Sequence, residues 1–301
     1  MTNFFCSIEN HLGIVLTIAI VLGLILPGLD QLPHVTAVVI IASVIFVSCF
    51  KINKEEFLSI SIRRSLFFYL LRFVLFPLAV YYLSEVIVPE YAIGLFLLSM
   101  MPAGIASPAV TGILNGNVTM ALSLVVITSL LAPFVVPGLF YITSAGEVTK
   151  DHLYKLFVTL SCVIFIPAVL HLPIRQWSKS RGWLVKNNKA ISVLLFGLLM
   201  SVVVGIQRKQ ILDKISEDIS VLIAPLVVLC VLYVVFYLAV WIVAKPAGQS
   251  ERLTLSVCSG VNNNALGIAL ALENFPAAAF FLVLTVIPWA YGMVVFKKIV
   301  A

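Results

Sequence analysis

With 62% hydrophobic and only 11% charged residues among 301, the chain is not a water-soluble domain, since such domains carry roughly 25% charged and roughly 45–50% apolar residues. A net charge of +6 would point to nucleic acid only if the basic residues clustered on a soluble face; they read as loop residues, so no nucleic-acid partner is expected. Five cysteines (Cys6, Cys49, Cys162, Cys230, Cys258) stand singly, mostly among apolar residues, a pattern of neither a disulfide framework nor a metal site.

A bilayer span needs about 20 largely apolar residues. About ten such stretches fit, at 12–29, 35–50, 65–87, 91–114, 118–143, 153–173, 190–207, 219–244, 252–272 and 276–296. The chain therefore reads as an all-α integral membrane protein, a single transmembrane domain over 1–301 surrounded by membrane lipids. The first stretch lacks a basic leader and a small-residue cleavage site, so it is expected to stay as a span.

The third span carries Arg72 within Leu70-Leu71-Arg72-Phe73-Val74-Leu75-Phe76-Pro77. One reading is snorkelling: Arg63 and Arg64 mark the membrane boundary, and Arg72 lies about 12 Å deeper at 1.5 Å per residue. The other turns the guanidinium inward, onto carbonyls of a broken helix or an anionic substrate. Burying the charge without partners costs several kcal/mol, so an inward Arg72 needs oxygen ligands.

The fourth span is interrupted by Met101-Pro102-Ala103-Gly104-Ile105-Ala106-Ser107-Pro108-Ala109-Val110-Thr111-Gly112. Proline removes a backbone donor and frees a carbonyl. A half-helix beginning near Pro108 would aim free N–H groups at the protein centre, where they attract an anion. A plain proline kink with small residues for close helix packing is the blander reading. Asn115-Gly116-Asn117 reads as the tight turn into the fifth span.

The ninth span is interrupted by Val257-Cys258-Ser259-Gly260-Val261-Asn262-Asn263-Asn264-Ala265-Leu266-Gly267. Three consecutive amides in a span are expensive unless each finds partners. They cannot all face one side of a helix, so one is expected to support local unwinding and another to face a cavity. Non-helical backbone survives at membrane depth only inside protein or along a wet cavity. Matched breaks in two halves are the sequence pointer to a secondary transporter's binding site.

The halves, about 1–147 and 148–301, are faintly similar. Gly104-Ile105 aligns with Gly260-Val261, Ala109 with Ala265, and Phe73–Val80 with Val234–Val240. Five spans per half is an odd number, so the copies would insert upside down, an inverted repeat. Lysine and arginine are retained on the cytoplasmic side. With both termini inside, inner connections collect thirteen basic residues (Lys51, Lys54, Arg63, Arg64, Arg175, Lys179, Arg181, Lys186, Lys189, Lys245, Arg252, Lys297 and Lys298), and outer ones five (Lys150, Lys155, Arg208, Lys209 and Lys214).

All thirteen acidic residues fall in loops or at span ends. Proton-coupled carriers usually keep a carboxylate within the membrane, so no carboxylate relay is expected. The four histidines (His11, His34, His152, His171) are also at span ends, without metal-ligand spacing. No acid, base or nucleophile constellation of an enzyme is evident.

At these motifs the chain resembles the bile acid:sodium symporter family, within the bile/arsenite/riboflavin-type transporter group. Pro102-Ala103-Gly104-Ile105-Ala106-Ser107, then Gly116-Asn117-Val118 and the Pro133 region, is similar to that family's fourth and fifth spans. Gly260-Val261-Asn262-Asn263 is similar to its ninth-span motif, Glu-x-Gly-x-Gln-Asn. The resemblance implies a panel domain (spans one, two, six and seven), a core domain (three to five, eight to ten), and crossing breaks in spans four and nine. Organic anions would bind between the domains.

The resemblance also implies sodium ligands that this chain largely lacks. The family's ninth-span glutamate falls on Cys258, its Ser-Asn pair on Ser107-Pro108, its fifth-span hydroxyls on Ala121 and Val125, its third-span glutamine on Arg72 and its ninth-span glutamine on Asn262. Sodium needs several oxygens, and only Ser107 and Asn262 retain one. One hypothesis puts Arg72 in the space of a sodium ion, donating to carbonyls near Cys258 and Val261; a rival makes it the counter-ion of the substrate.

The expected protein is a bacterial inner-membrane carrier with cytoplasmic termini, moving a small organic anion by alternating access without a cofactor and without the family's sodium coupling. Asn263 is the foremost expected substrate contact, because the resemblance implies a cavity-facing asparagine at the crossing, followed by Ser107, Thr111 and the half-helix N-termini near Pro108 and Asn264. Arg72, Cys258, Val261 and Asn262 form the ion site or its surrogate. The alternatives are a sodium-coupled symporter with altered ligands and a non-transporting receptor or sensor on the same fold.

Overall fold

The computed structural model describes residues 12–50, 62–104, 106–143, 149–176, 178–217, 222–285 and scattered positions from 288 to 299. Cys6, Glu9, His11, Lys51, Lys54, Glu55, Glu56, Ile105, Glu147, Asp218 and Lys297 lie outside the described residues.

In chain order the helices are α1 (Leu12–Ile25), α2 (Val35–Cys49), α3 (Ile62–Leu70), α4 (Phe76–Ile87), α5 (Ala92–Met100), α6 (Ser107–Ile113) and α7 (Val118–Thr143). They continue as α8 (Lys150–Gln176), α9 (Ser178–Ile206), α10 (Arg208–Glu217), α11 (Ile223–Val243), α12 (Gln249–Gly260), α13 (Asn264–Asn274) and α14 (Pro276–Val283). Among the described residues there is no strand, only one isolated β-bridge.

Among the described residues, four helical stretches are long and apolar enough to cross a membrane: Leu66–Ile87, Val118–Thr143, Lys150–Pro173 and Ile223–Val243. Val35–Val47, Pro89–Met100 and Ala190–Ile206 are shorter apolar helices. Their outward faces are apolar too, with Phe67, Val86, Ile87 and Ile242 all exposed. Helices apolar all round suit a lipid surround; this is an integral membrane protein.

Helices α1, α2, α8 and α9 pack on one another, with Ser201 Oγ of α9 donating to Ala19 O of α1 at 2.9 Å. Helices α4 to α7 and α11 to α14 form a second group. Helix α13 lies where the groups meet, against α2, α8 and α9.

The basic residues do not all sit in loops. Helix α9 begins at Ser178, so Lys179, Arg181, Lys186 and Lys189 are helical, and α10 carries Arg208, Lys209 and Lys214. Arginine and lysine are good helix formers, and a helix need not stop where its apolar part does. Arg252 belongs to α12, with its guanidinium 3.6 Å from the centre of the Trp241 ring.

Candidate functional site at the crossing of two broken helices

Helix α5 stops at Met100, and Met101 is extended. The chain becomes helical again at Ser107, with Pro108 in the first turn of α6, where its missing N–H is not needed. Helix α12 stops at Gly260, and α13 starts at Asn264.

The two non-helical runs meet as a short antiparallel bridge. Gly104 N–H donates to Val261 O at 2.6 Å and Asn263 N–H to Pro102 O at 2.9 Å, with Ala103 opposite Asn262. Two further backbone groups at the breaks are satisfied, and one hydroxyl adds a bond. Ala103 N–H donates to Thr128 Oγ1 at 3.1 Å, Asn264 N–H to Asn262 O at 2.9 Å, and Ser107 Oγ–H to Val261 O at 3.1 Å. A Cβ at position 104 would stand 2.7 Å from Asn262 O, so glycine lets the runs approach.

Arg72 lies on a five-residue π-helical turn, Leu71–Leu75, between α3 and α4. It is 1% exposed, so its guanidinium is buried and does not snorkel. Nε donates to Ser259 Oγ at 2.7 Å, Nη1 to Ser99 O at 2.7 Å, and Nη2 to Ser259 O at 2.9 Å and Asn262 Oδ1 at 3.0 Å. The Phe236 ring lies below, 4.2 Å from Cζ to the ring centre. No carboxylate among the described residues pairs with it.

Ser259 O is a ninth-span carbonyl beside Cys258, within the expected set, whereas Ser99 O, Ser259 Oγ and Asn262 Oδ1 add to it. Val261 O is already taken by Gly104 N–H and Ser107 Oγ. Cys258 is buried in an apolar cluster with Phe68, Tyr69, Phe73, Ala103, Met120, Ala121 and Leu124, its thiol beside the Ser107 hydroxyl. Val125 packs against the same cluster. Of the positions that the resemblance aligns with sodium ligands, Pro108, Ala121 and Val125 carry hydrocarbon, Cys258 a thiol and Arg72 a guanidinium, and only Ser107 and Asn262 a side-chain oxygen.

Each asparagine of the triplet has its own task. Asn262 accepts from Arg72 and donates to Leu98 O at 3.3 Å. Asn263 caps α13, its Oδ1 accepting from Leu266 N–H at 3.2 Å. Asn264 accepts from Tyr233 Oη at 2.9 Å. Asn263 and Asn264 are buried here, as are Ser107 and Thr111. Thr111 Oγ1 has no hydrogen-bond partner among the described residues. Two cavities flank the crossing without being lined by the asparagines: one of about 200 Å³ beside Tyr233 and Tyr237, and one of about 920 Å³ beside Phe67, Phe68, Met120 and Gln249.

Ser99, Thr128, Tyr233, Phe236 and Ser259 complete the crossing and were not singled out from sequence. Ser259 stood inside the second motif and Ser99 just before the first, so adjacency was a usable signal. Thr128, Tyr233 and Phe236 gave none, because their role depends on how separate helices pack.

The model of the SBF-like CPA transporter family (DUF4137) matches residues 10–300. The "Probable sodium/metabolite cotransporter BASS1, chloroplastic" of Oryza sativa subsp. japonica is 27% identical over 213 residues, 69% of this chain and 50% of that protein. Its Arabidopsis thaliana counterpart is 26% identical over 212 residues, 69% of this chain and 51% of that protein. The "Uncharacterized sodium-dependent transporter YocS" of Bacillus subtilis (strain 168) is 25% identical over 189 residues, 62% of this chain and 56% of that protein. The chain spans about half the length of these relatives.

Proposed function

Because the chain belongs to the SBF-like CPA transporter family, of the bile acid:sodium symporter type, and is a transporter rather than an enzyme, we propose that it moves a small organic anion by alternating access without sodium coupling. In this reading about ten spans form two inverted five-helix repeats. Helices α1, α2, α8 and α9 are the panel, and the second group is the core that shifts against it. Both termini are cytoplasmic, in a bacterial inner membrane. Asn263, Ser107, Thr111 and the helix starts at Pro108 and Asn264 meet the substrate when the panel and core part.

The observation that carries the reading is the guanidinium of Arg72, which reaches Ser99 before the first break and Ser259 and Asn262 at the second. A bound cation would hold those same oxygens together; here a side chain supplies the charge permanently. The relatives' names attach sodium to those proteins, whereas the positions that would ligate it here are Cys258, Ala121 and Val125. Arg72, already hydrogen-bonded within the protein, is favoured as ion surrogate over counter-ion of the substrate.

Uptake of organic anions into vesicles tests this. With sodium replaced by choline, transport is expected to continue at an unchanged rate; its collapse refutes the reading. Arg72→Gln is expected to weaken the crossing or to restore ion dependence. Loss of anion affinity alone would favour the counter-ion role.

A further inference from the structure

Arg72 is the only Lys, Arg, Asp or Glu side chain that is fully buried among the described residues. It belongs to the same packed group as both breaks and is tied to them by four hydrogen bonds. A unit that changes its access across the membrane must therefore take one fixed positive charge with it. The consequence concerns the direction of transport.

We infer that this fixed charge makes the empty carrier the voltage-sensitive form, so that the protein exports organic monoanions from a compartment whose interior is electrically negative. The inference rests on the sodium-independent cycle proposed above and adds its direction and the charge of its cargo. The buried interior of the empty core holds a single formal charge, the +1 of Arg72. Loaded with a monoanion it is neutral, and a neutral complex crosses a low-dielectric layer more readily than a charged one. A dianion would leave the complex charged again.

An interior-negative potential pulls the empty, positive core to its inward-facing position. A unit charge crossing the full field is biased about 50-fold for each ~100 mV, about 2.3 kcal/mol. The inward-facing core then loads an anion from inside, moves outward as a neutral complex, releases the anion and is drawn back. Charge balances over the cycle: one negative charge leaves, carried by the substrate, and Arg72 returns to where it began. No second ion is needed.

The test needs no identified substrate, because voltage alone is the probe. The full-length protein is reconstituted in a planar bilayer in sodium-free buffer, and displacement currents are recorded during voltage steps. Wild type is expected to move up to one elementary charge per molecule, with inward displacement at negative interior potential. Arg72→Lys keeps that charge movement, and Arg72→Met abolishes it. Asn263→Asp, which leaves Arg72 in place but adds one negative charge to the core, should also bring the displaced charge near zero.

Absence of displacement in wild type overturns the inference, as does displacement that survives both Arg72→Met and Asn263→Asp. Should Arg72→Met fail to fold, Asn263→Asp decides alone. Vesicle flux separates the two levels of argument. Sodium-independent flux without charge displacement sinks only the export inference, whereas sodium-dependent flux sinks the carrier cycle on which it rests.

Discussion

Arg72→Met takes four hydrogen bonds out of the crossing at once while filling much of the same volume. Ser99 O, Ser259 O and Asn262 Oδ1 each lose a donor, while Ser259 Oγ keeps its bond to Phe236 O. A buried acceptor left unpaired costs about 1–3 kcal/mol, so three cost about 3–9 kcal/mol. The variant is relieved of holding an ion away from water, which offsets part of this, and removing one partner from a buried ionic network typically leaves a net loss of about 3–5 kcal/mol. At about 2 °C per kcal/mol for a chain of this size, the unfolding midpoint should fall by about 6–10 °C. Survival of the monodisperse elution peak after stepwise heating in detergent measures it. Arg72→Lys keeps the charge but cannot fork across Ser99, Ser259 and Asn262, so its midpoint should lie between the two. A midpoint for Arg72→Met within about 1 °C of wild type would show that the guanidinium does not hold the breaks together.

Gly260→Ala would put a methyl 2.3 Å from Tyr237 Cζ; the variant is expected to lose its monodisperse peak, and adding Tyr237→Ala should recover part of it. Gly104→Ala, pressing on Asn262 O and Val261 O at 2.7 and 2.9 Å, should cost about 1–3 kcal/mol by overpacking, read as a lowered midpoint together with reduced flux. Asn263→Ala removes the cap of α13 and should cost about 1 kcal/mol. Asn263→Asp retains a capping oxygen, so its midpoint should stay near wild type while anion flux drops; flux that follows stability in both variants would remove Asn263 from the substrate site.

The breaks were legible because proline, glycine and consecutive asparagines are conspicuous in apolar surroundings, and the helices stop within a few residues of them. The inward course of Arg72 was left open by the sequence. Helical geometry alone puts the residue about 12 Å past Arg64 on a regular helix, and nothing in Leu70–Pro77 announces the π turn that accompanies its inward course. Of the oxygens it meets, the carbonyl of Ser259 beside Cys258 was within the expectation, and the others depend on how separate helices pack. Val261 O was a reasonable partner until the bridge from Gly104 claimed it, and that bond joins residues 157 positions apart (261 − 104). Helix α10 and the early start of α9 went unseen because hydropathy reports the apolar layer, whereas these segments are polar helix beyond it.

The π turn at Leu71–Leu75 has a consequence for how such a site arises. Wider coiling of this kind corresponds to one residue more than a regular helix accommodates. Deleting a single residue there would rotate α3 about 100° against α4, sweeping the guanidinium off the crossing toward the surrounding hydrocarbon. Gaining or losing a built-in cation at this position is therefore a matter of one codon inserted or removed as much as of which amino acid it specifies.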